Sequence, residues 1–235
     1  MYVPRHFAFP EGAKGQLQDL VEAHNFGLLV AGDGAGAPPE AAHLPFVLDR
    51  ARGPLGTLIA HVARANPLWR RFAPGREVLV VFQGPHAYVS PDWYAGRGLV
   101  PTWNYVAVHG YGVPRLLTDE AAAMAALAAL SAVMEAGLAP KPPWTMDQLS
   151  EGARRALVRG IVAFEIELTR LEGKQKLNQN RSAEDRAGVI EALERLGGAE
   201  DRAVAQAMRA GEGAAAALPR DPPATARRGA SNPKS

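Results

Sequence analysis

Cysteine is absent from the 235 residues, which excludes a disulfide framework and any thiolate metal site. No apolar run approaches the roughly 18 residues that a membrane-spanning helix needs, so no membrane partner is expected. The opening Met1-Tyr2-Val3-Pro4-Arg5-His6-Phe7 lacks the basic, apolar, small-residue order of a secretory signal, and the expected compartment is cytoplasmic. An excess of one charge is missing too, with 26 Lys and Arg against 24 Asp and Glu. Four of the basic residues (Arg220, Arg227, Arg228 and Lys234) lie after residue 210 beside only Glu212 and Asp221, so residues 1–210 are formally neutral. The pI near 9.0 therefore belongs to a short tail, and no broad basic face invites nucleic acid. That tail holds one Leu and no aromatic residue. It cannot bury enough surface to offset its ordering entropy, and residues 211–235 are expected to be disordered.

Several catalytic signatures are missing as well. There is no Walker loop, no Gly-x-Gly-x-x-Gly after a strand and no Gly-x-Ser-x-Gly elbow. The six histidines, His6, His24, His43, His61, His86 and His109, do not fall at the spacing of a helical zinc pair. No metal is expected.

What the chain does have is a succession of short apolar runs. A helix is expected around 15–26, then strands at 27–31, 41–48, 55–62 and 78–83, separated by Gly, Pro, Asp and Arg. Residues 104–112 alternate, with Tyr105, Ala107, His109 and Tyr111 on one face and Asn104, Val106 and Val108 on the other. Thr118 is placed to cap a helix running to 135, and a second helix is expected over 146–158. A late strand follows at 160–168, and Ser182 with Asp185 opens a helix to 196. A last short helix is expected within 197–210. About six strands without regular strand-helix alternation favour a mainly β fold with peripheral helices, an antiparallel barrel in which residues 1–196 form one domain.

Aromatic residues are sparse overall but concentrated: Phe82, Tyr88, Trp93, Tyr94, Trp103, Tyr105 and Tyr111 fall within thirty residues. Tyr and Trp carry polar handles that suit the walls of a ligand cleft. Polar groups unusual for a barrel core stand near them at strand ends: His61, Arg64 and Asn66; Gln83 and His86; Thr102 and Asn104. Each has an ordinary structural use, such as a turn starter for Asn66-Pro67 or a surface charge for Arg64. Together they offer a cation, amide donors and flat apolar walls, which is what a phosphorylated aromatic ligand requires.

These blocks resemble the PaiB-type FMN-binding negative transcriptional regulators of the flavin split-barrel superfamily. The likeness runs through Met1 to Phe7, His43-Leu44-Pro45, His61-Val62-Ala63-Arg64-Ala65-Asn66-Pro67, Gln83-Gly84-Pro85-His86-Ala87-Tyr88-Val89-Ser90-Pro91 with Trp93-Tyr94, and Val100-Pro101-Thr102-Trp103-Asn104-Tyr105-Val106-Ala107-Val108-His109. It continues in Gly173-Lys174-Gln175-Lys176-Leu177-Asn178-Gln179-Asn180 and Arg186. The family usually reads Lys-Leu-Ser-Gln-Asn where Asn178 stands here, an amide in place of a hydroxyl. The resemblance implies an FMN-binding split β-barrel, a homodimer with FMN in a groove between subunits. It assigns His61, Arg64 and Asn66 to the phosphate side and Thr102, Trp103 and Asn104 to the ring side. Lys174, Lys176, Gln179 and Asn180 would close the groove. A Lys or amide near the flavin N1 and C2 carbonyl would stabilise the reduced ring.

The implied role is a flavin-binding repressor, acting on DNA or through a regulatory protein partner. The helices expected at 182–196 and 199–210 do not form a convincing helix-turn-helix. A second reading, from kinship with pyridoxamine-phosphate oxidases and flavin reductases, is an FMN-dependent oxidoreductase on a small substrate, with no general acid or base singled out. A third, a haem-handling split barrel, needs a solitary histidine ligand that nothing marks.

Overall fold

A computed structural model describes residues 1–211; the tail expected to be disordered lies, apart from Gly211 at the end of the last helix, outside the described residues. The alternating segments form seven strands: β1 (Phe26–Ala31), β2 (Glu40–Pro45), β3 (Val47–Asp49), β4 (Thr57–Ala63), β5 (Val78–Val89), β6 (Thr102–Leu116) and β7 (Ile161–Lys176). Five α-helices accompany them: α1 (Lys14–Ala23), α2 (Glu120–Ala136), α3 (Glu151–Gly160), α4 (Ala183–Leu196) and α5 (Ala199–Ala210). All strand pairs are antiparallel in the order β2-β1-β5-β6-β7-β4-β3.

The two ends of that order, β2 and β3, are separated in the chain by Phe46 alone. One bent strand thus pairs with β1 before the bend and with β4 after it, which closes the sheet into a barrel. The single strand expected at 41–48 is interrupted because Pro45 has no amide to donate and the chain changes neighbours there. The Phe46 amide donates to the Asn25 carbonyl at 2.8 Å, and its buried ring packs edge-on against Phe82, 5.6 Å between centroids. Inside the barrel, Leu58, Ala60 and Val62 of β4 meet Val80 and Phe82 of β5 and Phe164, Ile166 and Leu168 of β7.

Three strands run further than their sequence pattern. In β5 a register shift between Gln83 and His86 absorbs Gly84-Pro85, after which His86 pairs with Tyr105 and Tyr88 with Trp103. In β7 a shift leaves Thr169 unpaired between Leu168 opposite Gly112 and Arg170 opposite Tyr111. Gly112 is required there, because a Cβ would lie 2.2 Å from the Glu167 carbonyl oxygen. The extra residue changes parity: Ala163, Glu165 and Glu167 share the outer face before it, and Arg170, Glu172, Lys174 and Lys176 after it.

Beyond the barrel, the inner face of the β5–β6 arm is covered by α4 and α5, with Ala87, Val89 and Val106 packed against Ile190, Leu193, Val204 and Met208. Ser182 caps α4 as expected, accepting from the Asp185 amide at 3.1 Å, and Gly197, at φ 69°, ends it in the left-handed region. On the other side α2 and α3 rest on β4 and β7 through small side chains, Ala123, Ala126, Val158 and Ala163. The cap of α2 is Asp119 and not Thr118; its carboxylate accepts from the Ala122 amide at 2.9 Å. The helix expected at 146–158 divides into a 3-10 turn at Met146–Gln148 and α3, which Ser150 caps.

Candidate functional site

Directly paired residues in an antiparallel sheet project to the same side, so the β5–β6–β7 register assembles an outer face by rows. Tyr88 lies beside Trp103; His86, Tyr105 and Lys176 form the next row; Gln83, Ala107 and Lys174 the next; His109 and Glu172 follow. Trp103 is 53 % exposed. His86 stacks on it at 6.2 Å and Tyr88 meets it edge-on at 6.1 Å.

Cations converge on these rings. The Lys174 ammonium lies 5.3 Å from the Tyr105 ring centroid and 5.7 Å from that of Tyr2, although only 9 % of the residue is exposed. Lys176 donates to the Trp103 carbonyl at 2.6 Å and to the Thr102 hydroxyl, with its ammonium 5.9 Å from the Phe7 ring. Arg181 lies 5.4 Å over Tyr94. None of the three has a carboxylate partner among the described residues. Burial, then repulsion from Lys174 and Arg181, holds the Lys176 ammonium below its ordinary pKa. Like charges drawn together without a counter-ion oppose folding and favour an anion that neutralises them.

Other residues named from the sequence hold this region in shape. Asn104 faces away from Trp103, as successive strand residues must. It is fully buried, its Nδ2 donates to the Met208 sulfur at 3.4 Å, and its Oδ1 has no partner. Gln179 locks the end of β7, accepting from the Leu177 amide at 2.8 Å and donating to the Gln175 carbonyl at 2.6 Å. Asn180 is exposed. Asn178 adopts φ 60° and donates to the Tyr94 hydroxyl at 3.3 Å; a side chain that tolerates the left-handed region suits the position better than most.

The other half of the expected site lies elsewhere. His61 is on the outer face of β4 opposite Ala163, with Nδ1 buried and unpartnered and its pKa lowered by burial. Arg64 donates to the carbonyls of Arg159 and Ile161, both at 2.6 Å, and so caps the C-terminal end of α3. It lines a cleft of about 310 Å³ with Trp69, Leu117 and Val158. Asn66 caps the 3-10 turn at Pro67–Arg71, accepting from the Leu68 amide at 3.0 Å. Between Ala163 and Lys176 lie roughly 40 Å of strand at about 3.3 Å per residue. One chain brings Thr102, Trp103, Lys174 and Lys176 together; it does not bring His61, Arg64 and Asn66 to them. Tyr94 and Tyr105, named among the concentrated aromatics, belong to the cluster, and Tyr2 and Arg181 join it without having been singled out as site residues. Tyr105 was foreshadowed a second time, by its place on the alternating outer face.

Residues 1–170 match the protein family described as "Putative FMN-binding domain". Over 195 residues the chain is 35 % identical to "Protease synthase and sporulation protein PAI 2" of Bacillus subtilis, which is PaiB, covering 83 % of this chain and 89 % of that one. The chain belongs to the PaiB-type FMN-binding family. An uncharacterised protein of Aspergillus fumigatus is 31 % identical over 226 residues, 78 % of this chain and 83 % of its own. Among solved structures, an FAD and heme binding protein of Mycobacterium smegmatis superposes with TM-score 0.51 at 16 % identity, covering 78 % of each chain. The flavocytochrome Anf3 of Azotobacter vinelandii gives 0.50 at 13 %, covering 74 % of this chain and 72 % of that one. These likenesses establish the fold, the flavin-binding split barrel expected from the sequence.

FMN is the cofactor that membership of the PaiB-type family carries, and the cation cluster fits it. A flavin phosphate is an anion and its ring system a flat aromatic plate; Lys174, Lys176 and Arg181 lack counter-ions, and Trp103 and Tyr105 present ring surfaces beside them. When bound, FMN supplies a ring that takes up electrons and protons. Lys176, fixed by Thr102 and the Trp103 carbonyl, would hold its charge ready for an anionic part of the cofactor. No group of His, Asp or Glu among the described residues could hold a metal ion, and no described helix is long and apolar enough to cross a membrane.

Proposed function

We propose that FMN binds on the outer face of β6 and β7, with Lys174, Lys176 and Arg181 neutralising its charge and Trp103 and Tyr105 flanking its ring. The loaded protein acts in the cytoplasm as a negative regulator of transcription. The partly buried cation cluster without carboxylates carries this reading. His61, Arg64 and Asn66 enter it only through a homodimer, in which a second copy lays its β4 end against this face.

Regulation through a protein partner is favoured over direct DNA contact. The body is formally neutral, and α5 is not free to serve as a recognition helix. Its Val204 and Met208 are buried on β5 and α4, and Arg209 is paired with Glu194 at 2.9 Å.

A purified protein with absorbance bands near ~370 and ~450 nm, and a marked preference for FMN over riboflavin, is expected. A colourless protein indifferent to added FMN overturns the reading. An FMN-dependent oxidoreductase is the second reading, favoured by His109 on the same face, 3.5 Å from the Tyr111 hydroxyl. Burial, the N-terminal ammonium and Arg170 lower its pKa against the opposing pull of Glu172, leaving a neutral imidazole beside the cluster. Steady FMN-dependent oxidation of NADH or NADPH would select it.

A further inference from the structure

The chain holds five lysines, Lys14, Lys141, Lys174, Lys176 and Lys234, and one of them is set apart by what surrounds its amine. Lys176 is partly buried at the end of β7, where its Nζ donates to the Trp103 carbonyl at 2.6 Å and to the Thr102 hydroxyl. Both acceptors are neutral. The charges it feels are cationic, those of Lys174 on the same face of the strand and of Arg181 beyond the turn. The carboxylate on that face, Glu172, is already taken by the Met1 ammonium at 2.5 Å and by Arg170 at 2.8 Å. Lys141, by contrast, is paired with Glu135, and Lys14 is exposed.

A lysine is a nucleophile only as the neutral amine, and desolvation with cationic neighbours brings it to that state. These are the two influences that lower the pKa of Lys176. Its hydrogen-bond partners suit either state. The Thr102 hydroxyl accepts from an ammonium and can turn its proton towards a neutral amine, while the Trp103 carbonyl accepts an N–H from an ammonium, an amine or an iminium alike. Two residues away, roughly 7 Å at about 3.3 Å per residue, the Lys174 ammonium stands beside the rings of Tyr2 and Tyr105 at 5.7 and 5.3 Å. One small molecule can therefore place an anion at Lys174 and a carbonyl carbon at Lys176, with its body beside the half-exposed Trp103.

We propose that Lys176 captures small aldehydes that carry a phosphate, Lys174 receiving the anion and Arg181 adding to the positive field while the Lys176 amine attacks the carbonyl carbon. The ammonium first loses a proton to solvent. The amine then adds to the aldehyde and the carbonyl oxygen leaves as water, so that a C=N bond replaces the C=O bond. The imine returns to amine and aldehyde by hydrolysis, and no oxidant or reductant enters. The step needs no flavin and so goes beyond the FMN reading, but it uses the same cations, and the two ligands exclude each other.

The test treats the full chain, freed of flavin and again with FMN restored, with 4-formylphenyl phosphate or the neutral 4-methoxybenzaldehyde. Sodium cyanoborohydride delivers hydride to the imine carbon and fixes each adduct as a secondary amine, and peptide mass mapping measures the adduct at each lysine. With the phosphate aldehyde and no flavin, half-labelling of Lys176 is expected at about tenfold lower concentration than that of Lys14, the size of one charge-assisted contact. The neutral aldehyde should need about tenfold more than the phosphate aldehyde to label Lys176 equally. Lys174→Gln should shrink that second preference severalfold. Lys176→Arg, which keeps the positive charge, should abolish the preferred adduct and leave labelling of Lys14 unchanged. Equal labelling of Lys14 and Lys176, or equal labelling of Lys176 by the two aldehydes, overturns the proposal. Protection by FMN separates the two readings: selective labelling that FMN does not block keeps the capture site and removes FMN from this face, whereas a yellow, FMN-binding protein without selective labelling keeps FMN and removes the capture site.

Discussion

The two ends of β7 both carry cations that the sequence marks as ligands, yet they differ in what already holds those cations. At the Ile161 end, Arg64 is satisfied by two backbone carbonyls at the close of α3. This answers the orphan acceptors and negative dipole of a helix C-terminus. At the Lys176 end, three cations share a half-buried surface without a counter-ion and lean on ring faces and neutral oxygens. The first arrangement is complete without a ligand; the second is complete only with an anion. Residue type and strand-end position do not distinguish them. The state of the donors does.

The sharpest way to break this comparison is the double variant Lys174→Ala/Lys176→Ala, expected to weaken FMN binding by about 3 kcal/mol or more in a fluorescence titration. The loss should exceed the sum of the single variants, because in each single variant the remaining ammonium, relieved of its neighbour, compensates in part. Lys176→Gln alone is expected to cost about 1.5–3 kcal/mol in affinity while leaving Tm unchanged or slightly raised. Asn178→Ala, which places at φ 60° a residue without asparagine's tolerance of the left-handed region and removes the Tyr94 contact, should destabilise the fold by about 1–2 kcal/mol in urea unfolding. Asn178→Gly should lose less. Arg64→Ala is expected to lower stability by about 1 kcal/mol, an exposed charge donating to helix carbonyls being discounted for screening. Its effect on FMN affinity should be smaller than that of Lys176→Gln. An Arg64→Ala protein that keeps its Tm and loses FMN would reverse the order of the two ends and make Arg64 the phosphate ligand.

How far the sequence foretold this arrangement depends on where pattern and register agree. The alternation from Asn104 to Gly112 was legible because β6 keeps its parity throughout, one side buried and the other half-exposed. The late strand was expected to stop near Leu168, and the physical reason it does not is the bulge at Thr169. An added residue turns the alternation out of phase, so Glu172-Gly173-Lys174 resembles a turn while continuing the ladder. The same effect hides β5 beyond Gly84-Pro85. Asn66 before Pro67 was legible as a turn starter, and it caps the turn that follows. The capping role of Arg64 was not, since its acceptors lie some 95 residues away in the chain. Arg181 escaped notice for a similar reason: only the folded turn at Asn178 brings it to Tyr94, which the sequence had offered merely as one aromatic among seven.

The smallest expected effect concerns protons. Burial first, and repulsion by Lys174 and Arg181 after it, lowers the native pKa of Lys176 from its ordinary 10.5. Between the lowered native value and 10.5, the unfolded chain holds this proton more firmly than the folded one. The free protein should therefore gain stability through Lys176 as pH rises across that window, and carry the full penalty below it. A bound phosphate reverses the sign. With an anion beside it the native pKa climbs, the contribution becomes favourable at lower pH, and it is lost as pH rises through the new value. Unfolding measured across this window for the wild type and Lys176→Gln isolates the residue from every other titrating group. The difference should slope towards the wild type as pH rises without FMN and away from it at saturating FMN. The same flat difference in both conditions would mean that Lys176 feels neither its neighbours nor the ligand, and the contrast between the two ends of β7 would lose its electrostatic basis.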